Sequence, residues 1–233
     1  MPRAADINRM FGGIVERYDL LNRLLSLGRD SYWRRELTRA LQVDEPRQAL
    51  DLCCGTGDVA LSLLKSLPGL ERLVAADFVL PMCAAAAGKL RARYPEPGVS
   101  SLACADALRL PFGTETFDIV SVAFGVRNFE NLERGLAEIA RVLKADGRVG
   151  ILEFAPPEGR LLRLVYRPYL RLFPPLLGKL LAGAEGAYGY LSASIQSFLR
   201  PSSMLAALEK AGFHDPHARK LTLGVTYLYT ASR

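Results

Sequence analysis

Asp51, Asp77 and Asp106 each stand at or just beyond the end of a short apolar run, and Gly55 and Gly57 follow the first of them closely. In Ala49-Leu-Asp-Leu-Cys-Cys-Gly-Thr-Gly-Asp58, the segment Gly55-Thr56-Gly57 lets the backbone turn tightly before a helix that begins at Asp58 or Val59. Such a turn sets helix-start N–H groups and a carboxylate beside one small ligand. The run Gly55-Thr-Gly57-Asp-Val-Ala60 fits the dinucleotide fingerprint G-x-G-x-x-G/A, and Asp77 follows about 20 residues on, where ribose hydroxyls are bound. Asp51 weighs against a dinucleotide, because a carboxylate at the strand end repels a pyrophosphate on the helix N-terminus. S-adenosylmethionine has no phosphate and carries a sulfonium and an ammonium, so the same acid attracts it. A glycine-rich turn that holds no ligand is the plain alternative.

The elements that must position these acids alternate. From 48 to 154, strand and helix patterns follow one another, which signals a doubly wound, mostly parallel α/β sheet with helices on both faces. Strands are expected over 48–53, 72–77, 99–104, 117–123 and 148–153, with helices over 59–66 and 81–93. A helix over 202–211 and two strands over 216–221 and 225–231 should close a seven-stranded, Rossmann-like sheet antiparallel. Ligands of such sheets bind at the carboxyl ends of the strands, so the three acids should converge on one crevice. There Asp51 meets the methionine ammonium, directly or through the loop, Asp77 the ribose diol, and Asp106 with Ala107 the adenine. Any one of these acids taken singly also suits a helix cap or a turn.

Upstream, Ile7, Met10, Phe11, Ile14, Val15 and Tyr18 recur at helical spacing, and Leu20 through Leu27 extend the apolar face. Gly28 breaks the run, and Ser31 is placed to cap a second helix bearing Trp33, Leu37 and Leu41. This pair either packs over the sheet or caps the cofactor pocket.

The 233 residues, half of them apolar, suffice for one domain with a full core. It divides into a helical cap (1–47), a cofactor-binding core (48–154), a basic helical insertion (155–200) and a closing helix with strands (201–233). No run approaches the roughly 20 apolar residues of a membrane span, and the polar start lacks a signal-peptide core, which points to the cytoplasm. Cys53, Cys54, Cys83 and Cys104 show no C-x-x-C spacing and the only histidines are His214 and His217, so neither a metal site nor a disulfide framework is expected. The net charge of +6 is uneven: residues 1–158 hold 20 Lys/Arg against 21 Asp/Glu, and 159–233 hold 10 against 3. That asymmetry suits an anionic surface better than nucleic acid, for which no aromatic–basic interleaving is present.

The order Asp51-x-x-x-Gly55-x-Gly57, then Asp77 ending the second strand, then Asp106-Ala107 after the third, resembles the class I S-adenosylmethionine-dependent methyltransferases. More narrowly, the chain resembles the ubiquinone/menaquinone biosynthesis C-methyltransferase family from about Met10 to Thr226. The matching segments are Tyr18-Asp-Leu-Leu-Asn22 with Ser26 and Trp33, Phe124-Gly-Val-Arg-Asn128, Arg141 through Phe154, and Tyr190-Leu-Ser-Ala-Ser-Ile195 with Phe198. Cys53-Cys-Gly-Thr-Gly57 is more like the menaquinone branch. The chain departs from the family pattern at Asp30, where histidine is usual, at Ala123 for serine, at Ala145-Asp146 for Pro-Gly, and over Thr222–Tyr229, which lacks a basic or imidazole group.

The resemblance implies methyl transfer from S-adenosylmethionine to a ring carbon of a prenylated demethylquinol. A hydroquinol losing a phenolic proton places negative charge on the adjacent carbon, so the site needs a proton acceptor or water relay and a cation for the phenolate. Arg127 is assigned to phenolate stabilisation, since guanidinium stays protonated, and Asn128 to orienting the hydroxyl. Tyr18 and Phe124 are expected against the substrate. An arginine that pairs with Glu130 or Glu153 and holds its loop is the rival role for Arg127. A nicotinamide-dependent reductase, an accessory protein that binds the cofactor without turnover, and a methyltransferase of another phenol are the competing functions.

Within the insertion, Arg160, Arg163, Arg167 and Arg171 recur at steps of three and four and leave Leu161, Leu164, Val165 and Leu172 for another face. Pro168 kinks the stretch, and Pro174-Pro175 separates it from apolar 176–182. Such a segment suits an anionic membrane carrying the quinol's tail. A lid helix with a solvated arginine face, or a homodimer contact, accounts for the pattern equally.

Overall fold

The computed structural model describes residues 4–95, 98–156, 164 and 185–233. Seven strands, β1 (Gln48–Leu52), β2 (Arg72–Asp77), β3 (Ser100–Cys104), β4 (Phe117–Ala123), β5 (Leu143–Phe154), β6 (His214–Leu221) and β7 (Thr226–Ser232), form one sheet in the order β3-β2-β1-β4-β5-β7-β6. The first five run parallel, and β7 enters antiparallel to both β5 and β6.

Central parallel strands are covered on both faces, and β1 and β2 are accordingly buried at every position but the first. Successive side chains point to opposite faces and so join two cores. Leu50, Val74 and Val120 pack with Leu136 and Ile139 of α6 (Leu132–Val142) and with Met204 and Leu208 of α8 (Pro201–Lys210). Ala49, Leu73 and Ile119 pack with Leu37 and Leu41 of α3 (Asp30–Ala40), Leu63 of α4 (Asp58–Ser66) and Leu90 of α5 (Leu80–Arg93). Strand order reverses at β1, which pairs with β2 on one side and β4 on the other, and a crevice opens at the carboxyl ends there.

The N-terminal segment forms three helices where apolar periodicity suggested two. After α1 (Ala4–Gly12), the pair Gly12-Gly13 separates it from α2 (Val15–Leu25), since glycine costs a helix interior about 1 kcal/mol relative to alanine. Ser31 is not the cap of α3: that helix begins at Asp30, whose Oδ1 accepts from the Ser26 hydroxyl at 3.0 Å. Strand β5 starts at Leu143 rather than 148, and Asp146-Gly147 lies inside it, where pairing with β4 shifts register between Phe117 and Ile119. Helix α7 (Glu185–Ser197) precedes α8. The expectations placed on 157–163 and 165–184, the arginine stretch and the Pro168 kink among them, lie outside the described residues. Among the described residues no helix is long and apolar enough to cross a membrane.

Candidate active site

Two neighbouring strand ends turn sharply into the crevice. Cys53, just past β1, and Phe124, just past β4, both adopt a left-handed backbone with φ of 57°. Non-glycine residues held this way cost of order 1–3 kcal/mol each and gather at ligand sites. The two loops nearly touch: a Cβ on Gly125 would sit 2.5 Å from Cys53 Cβ and 2.6 Å from its Sγ. Gly57 (φ 89°) is also tight, since its Cβ would lie 3.1 Å from Ala86 Cβ in a backbone conformation that strains any side chain, so glycine suits the turn that brings α4 to the crevice.

The three acids separate. Asp51 is buried and accepts from the Ser121 hydroxyl at 2.7 Å across the β1–β4 pair, while its Oδ2 has no hydrogen-bond partner among the described residues. Burial pushes its carboxyl up to about 7 against the opposing pull of Ser121. It lines neither cavity described below, so its expected meeting with a methionine ammonium is not direct. Asp77 accepts from the backbone N–H of Gly55 and of Val79, each at 2.9 Å, and burial raises its carboxyl. It thereby ties the glycine turn to β2. Asp106 accepts from Leu108 N–H at 2.9 Å and stays exposed.

Two cavities meet at the strand ends. The smaller, about 120 Å³, is bordered by Asp77, Asp106, Ala107, Met82 and Asn128. The larger, about 470 Å³, runs beneath α2 and α3 and is mostly apolar, with Ile14, Leu21, Leu25, Trp33 and Ile195 in its wall. Tyr18, Cys53, Gly55, Ala123 and Phe124 border both. Phe124 lies 4.5 Å from Phe154 between ring centroids, and Trp33 meets both rings edge-on at 5.9 Å. Burial raises the Tyr18 phenol, which keeps it a neutral donor. At position 123 a methyl group stands where the family's hydroxyl is expected.

Arg127 is not free to act alone. Its Nη1 donates to Glu153 Oε1 at 2.8 Å and to the Phe124 carbonyl at 2.5 Å, and its backbone N–H donates to Glu153 Oε2 at 3.3 Å. The side chains are 5% and 0% exposed, and burial raises the Glu153 carboxyl while Arg127 opposes that rise. The guanidinium carbon lies 5.6 Å from the Phe154 ring centroid, and Nε has no hydrogen-bond partner among the described residues. Loop-holding through Glu153 is thus realised, yet Arg127 also lines the larger cavity. Asn128 Oδ1 accepts from the Tyr190 hydroxyl of α7 at 2.8 Å.

A polar clasp that sequence spacing did not reveal joins the helical cap to the glycine turn. The Thr56 hydroxyl donates to Asp19 Oδ1 at 2.5 Å, and Lys89 of α5 donates to Asp19, Thr56 and Asp58 at 2.5, 3.0 and 2.7 Å. Arg34 bridges Asp30 at 2.8 Å and Asp58 at 2.9 Å. Thr56, Asp30, Arg34 and Asp58 line the larger cavity. The i,i+4 spacing of Asp30 and Arg34 was visible in the chain, but nothing in it placed them beside a turn more than 20 residues on.

The sequence model described as the ubiE/COQ5 methyltransferase family matches residues 2–233. The demethylmenaquinone methyltransferase of Thermus thermophilus is 46% identical over 224 residues, covering 96% of this chain and 100% of that protein. The Geobacter sulfurreducens ubiquinone/menaquinone biosynthesis C-methyltransferase UbiE is 38% identical, covering 97% and 88%. Among solved structures, a chain of the complex between the Haloferax volcanii Trm112 methyltransferase activator and a methyltransferase superposes with a TM-score of 0.70 at 15% identity, covering 95% and 96%. A SAM-dependent methyltransferase from Aquifex aeolicus gives 0.62 at 16% identity, covering 85% and 88%. At such identities the structural matches establish the fold, that of the class I methyltransferases.

Proposed function

We propose, for a chain that belongs to the ubiE/COQ5 methyltransferase family, that it methylates a ring carbon of a prenylated demethylquinol, demethylmenaquinol being the favoured acceptor. S-adenosylmethionine would supply the methyl group as a sulfonium that leaves as a neutral thioether. The observation that carries the reading is the pair of joined cavities: a small acid-bordered lobe opens, across Cys53, Gly55, Ala123 and Phe124, into a larger apolar one.

The donor set fits that cofactor. Asp77 retains lone pairs for a ribose diol beyond those taken by Gly55 and Val79, and Asp106 keeps one oxygen for the adenine amino group beside Ala107. With Asp51 sealed under the turn, Asp58 and Asp30 are the acids left to face an ammonium, and Arg34 between them suits the carboxylate of the same amino-acid end. Asp51 then supports the loop from beneath. The glycine turn and Thr56 border that end.

The remaining chemistry is alignment and charge. Bound S-adenosylmethionine would offer an electrophilic methyl carbon to a ring carbon made nucleophilic as its phenol gives up a proton to water; the methyl would pass from sulfur to that carbon, and the ring proton would leave to water to restore aromaticity. Arg127, facing the larger cavity, steadies the phenolate, and Asn128, held by Tyr190, orients the hydroxyl. Phe124, Trp33 and Phe154 would flank the flat ring, and Tyr18 would stand over the transfer point. The acceptor's tail draws the protein to a lipid surface, with the arginine-rich 160–171 as one means.

Purified protein, labelled S-adenosylmethionine and demethylmenaquinol kept reduced in detergent test this directly. Label is expected in the quinol; no label, with cofactor binding confirmed by calorimetry, sinks the proposal.

A further inference from the structure

Helix α2 has two apolar faces, and the described residues pack against one of them. Its inward side chains Tyr18, Leu21 and Leu25 line the larger cavity. Leu20 and Leu24, four apart on another face of the helix, and Leu27, just past its end and on the border of the larger cavity, are 53%, 38% and 76% exposed. Across the cavity mouth, Leu223 is 78% exposed between Thr222 and Val225, both of which line that cavity. Leu27 (φ 51°) and Leu223 (φ 59°) sit at loop tips in the left-handed region, a costly conformation for leucine that turns each side chain outward. Large apolar groups exposed singly need no explanation, but Leu27 and Leu223 both stand at one cavity mouth, and Leu20 and Leu24 extend the exposed apolar surface along the helix that leads to it.

The surrounding charge narrows the choice of partner. Arg23, Arg29 and Lys220 are exposed, as is Glu16, while the carboxylate of Asp19 on the same helix is neutralised by Lys89, and Lys220 lies against Gly224 beside the Leu223 tip. An apolar patch rimmed by cations suits an anionic bilayer, where leucines enter the acyl boundary and basic groups meet the headgroups. We infer that α2 and the Leu223 tip dock on an anionic membrane, with the cavity mouth facing the bilayer so that the acceptor's tail enters between Leu27 and Leu223 without crossing water. This rests on the proposed lipophilic acceptor and places the contact on the described fold rather than on 160–182.

The test is vesicle sedimentation of the full chain, without cofactor or quinol, on phosphatidylcholine vesicles with and without phosphatidylglycerol. Wild-type protein is expected to partition onto the anionic vesicles. The triple variant L20S/L24S/L223S, none of whose residues lines either cavity, should lose partition on the order of 100-fold. It should still methylate a short-tailed demethylquinol in detergent. R23E/K220E should lose the preference for anionic lipid while keeping weak binding. Should the triple variant fail to fold, Leu223→Trp reads the same contact: the emission it adds to that of Trp33 shifts to the blue with anionic vesicles and is quenched by brominated lipid. A triple variant that partitions like wild type, or a Leu223→Trp emission unchanged by vesicles, overturns the inference. So does a wild-type dimer that becomes a monomer in the triple variant, which would make the face a subunit contact. Label transfer in detergent by wild type is read separately, so loss of docking with transfer intact sinks only this surface.

Discussion

Removing the Arg127 guanidinium should do two separable things. In Arg127→Ala, Glu153 stays fully buried and, among the described residues, keeps the Arg127 and Phe154 backbone N–H groups as its donors. Stranding one member of a buried pair costs about 3–5 kcal/mol, and the Glu153 carboxyl, already raised by burial, should rise further and take up a proton. Glu153→Gln in the same background removes the stranded charge, and its amide oxygen can still accept from one of those two N–H groups. The double variant should recover about 2 kcal/mol of that loss, the size of coupling seen between contacting groups. Urea denaturation of wild type, both single variants and the double variant measures this cycle. Turnover discriminates: if Arg127 steadies a phenolate, kcat stays about 10²–10³-fold down in both Arg127→Ala and the double variant while cofactor affinity holds. A double variant that regains stability and turnover together would refute a role in the chemistry and leave Arg127 as a loop-holding residue.

Three further outcomes follow from the geometry. Asp51 titrates near 7 when folded, against an ordinary value near 4, so the folded state binds the extra proton and wild-type stability falls as pH rises through that window. Relative to wild type, Asp51→Asn should therefore gain up to about 1.4 kcal/mol per pH unit between pH 5 and 7; parallel thermal-melt curves would rule this out. Tyr190→Phe removes the hydroxyl that holds Asn128 and should lower kcat more than the apparent cofactor affinity, with Asn128→Ala adding little on top, which steady-state kinetics on the pair will show. Gly125→Ala forces a methyl into Cys53 and should cost about 1–3 kcal/mol and weaken cofactor binding; a variant as stable as wild type would mean that the two loops part freely.

The sheet was legible because its signal is local. Residues of β1, β2 and β4 are mostly apolar, and Gly55 and Gly57 announce a tight strand-to-helix turn. Asp77, Asp106 and Ala107 could be placed on the crevice for the same reason, since strand ends of a parallel sheet share one edge. Periodicity failed at Gly12-Gly13, where two glycines interrupt an apolar pattern that otherwise runs on through α2.

Only the folded chain decided which groups face ligand and which face each other. Asp77 is the last residue of β2, whereas Asp51 lies one residue inside the end of β1, and pairing of β1 with β4 sets Ser121 beside it and seals it, a contact between residues 70 positions apart. The same applies to Arg127, whose choice of Glu153 over Glu130 depends on the neighbouring strand β5, and to Lys89, which gathers Asp19 from the helical cap and Thr56 and Asp58 from the glycine turn. Residue type and spacing determine which side chains a strand end presents, because backbone geometry repeats locally. Which partner takes a buried charge depends on what else the fold brings within about 3 Å, and no local pattern encodes that distance.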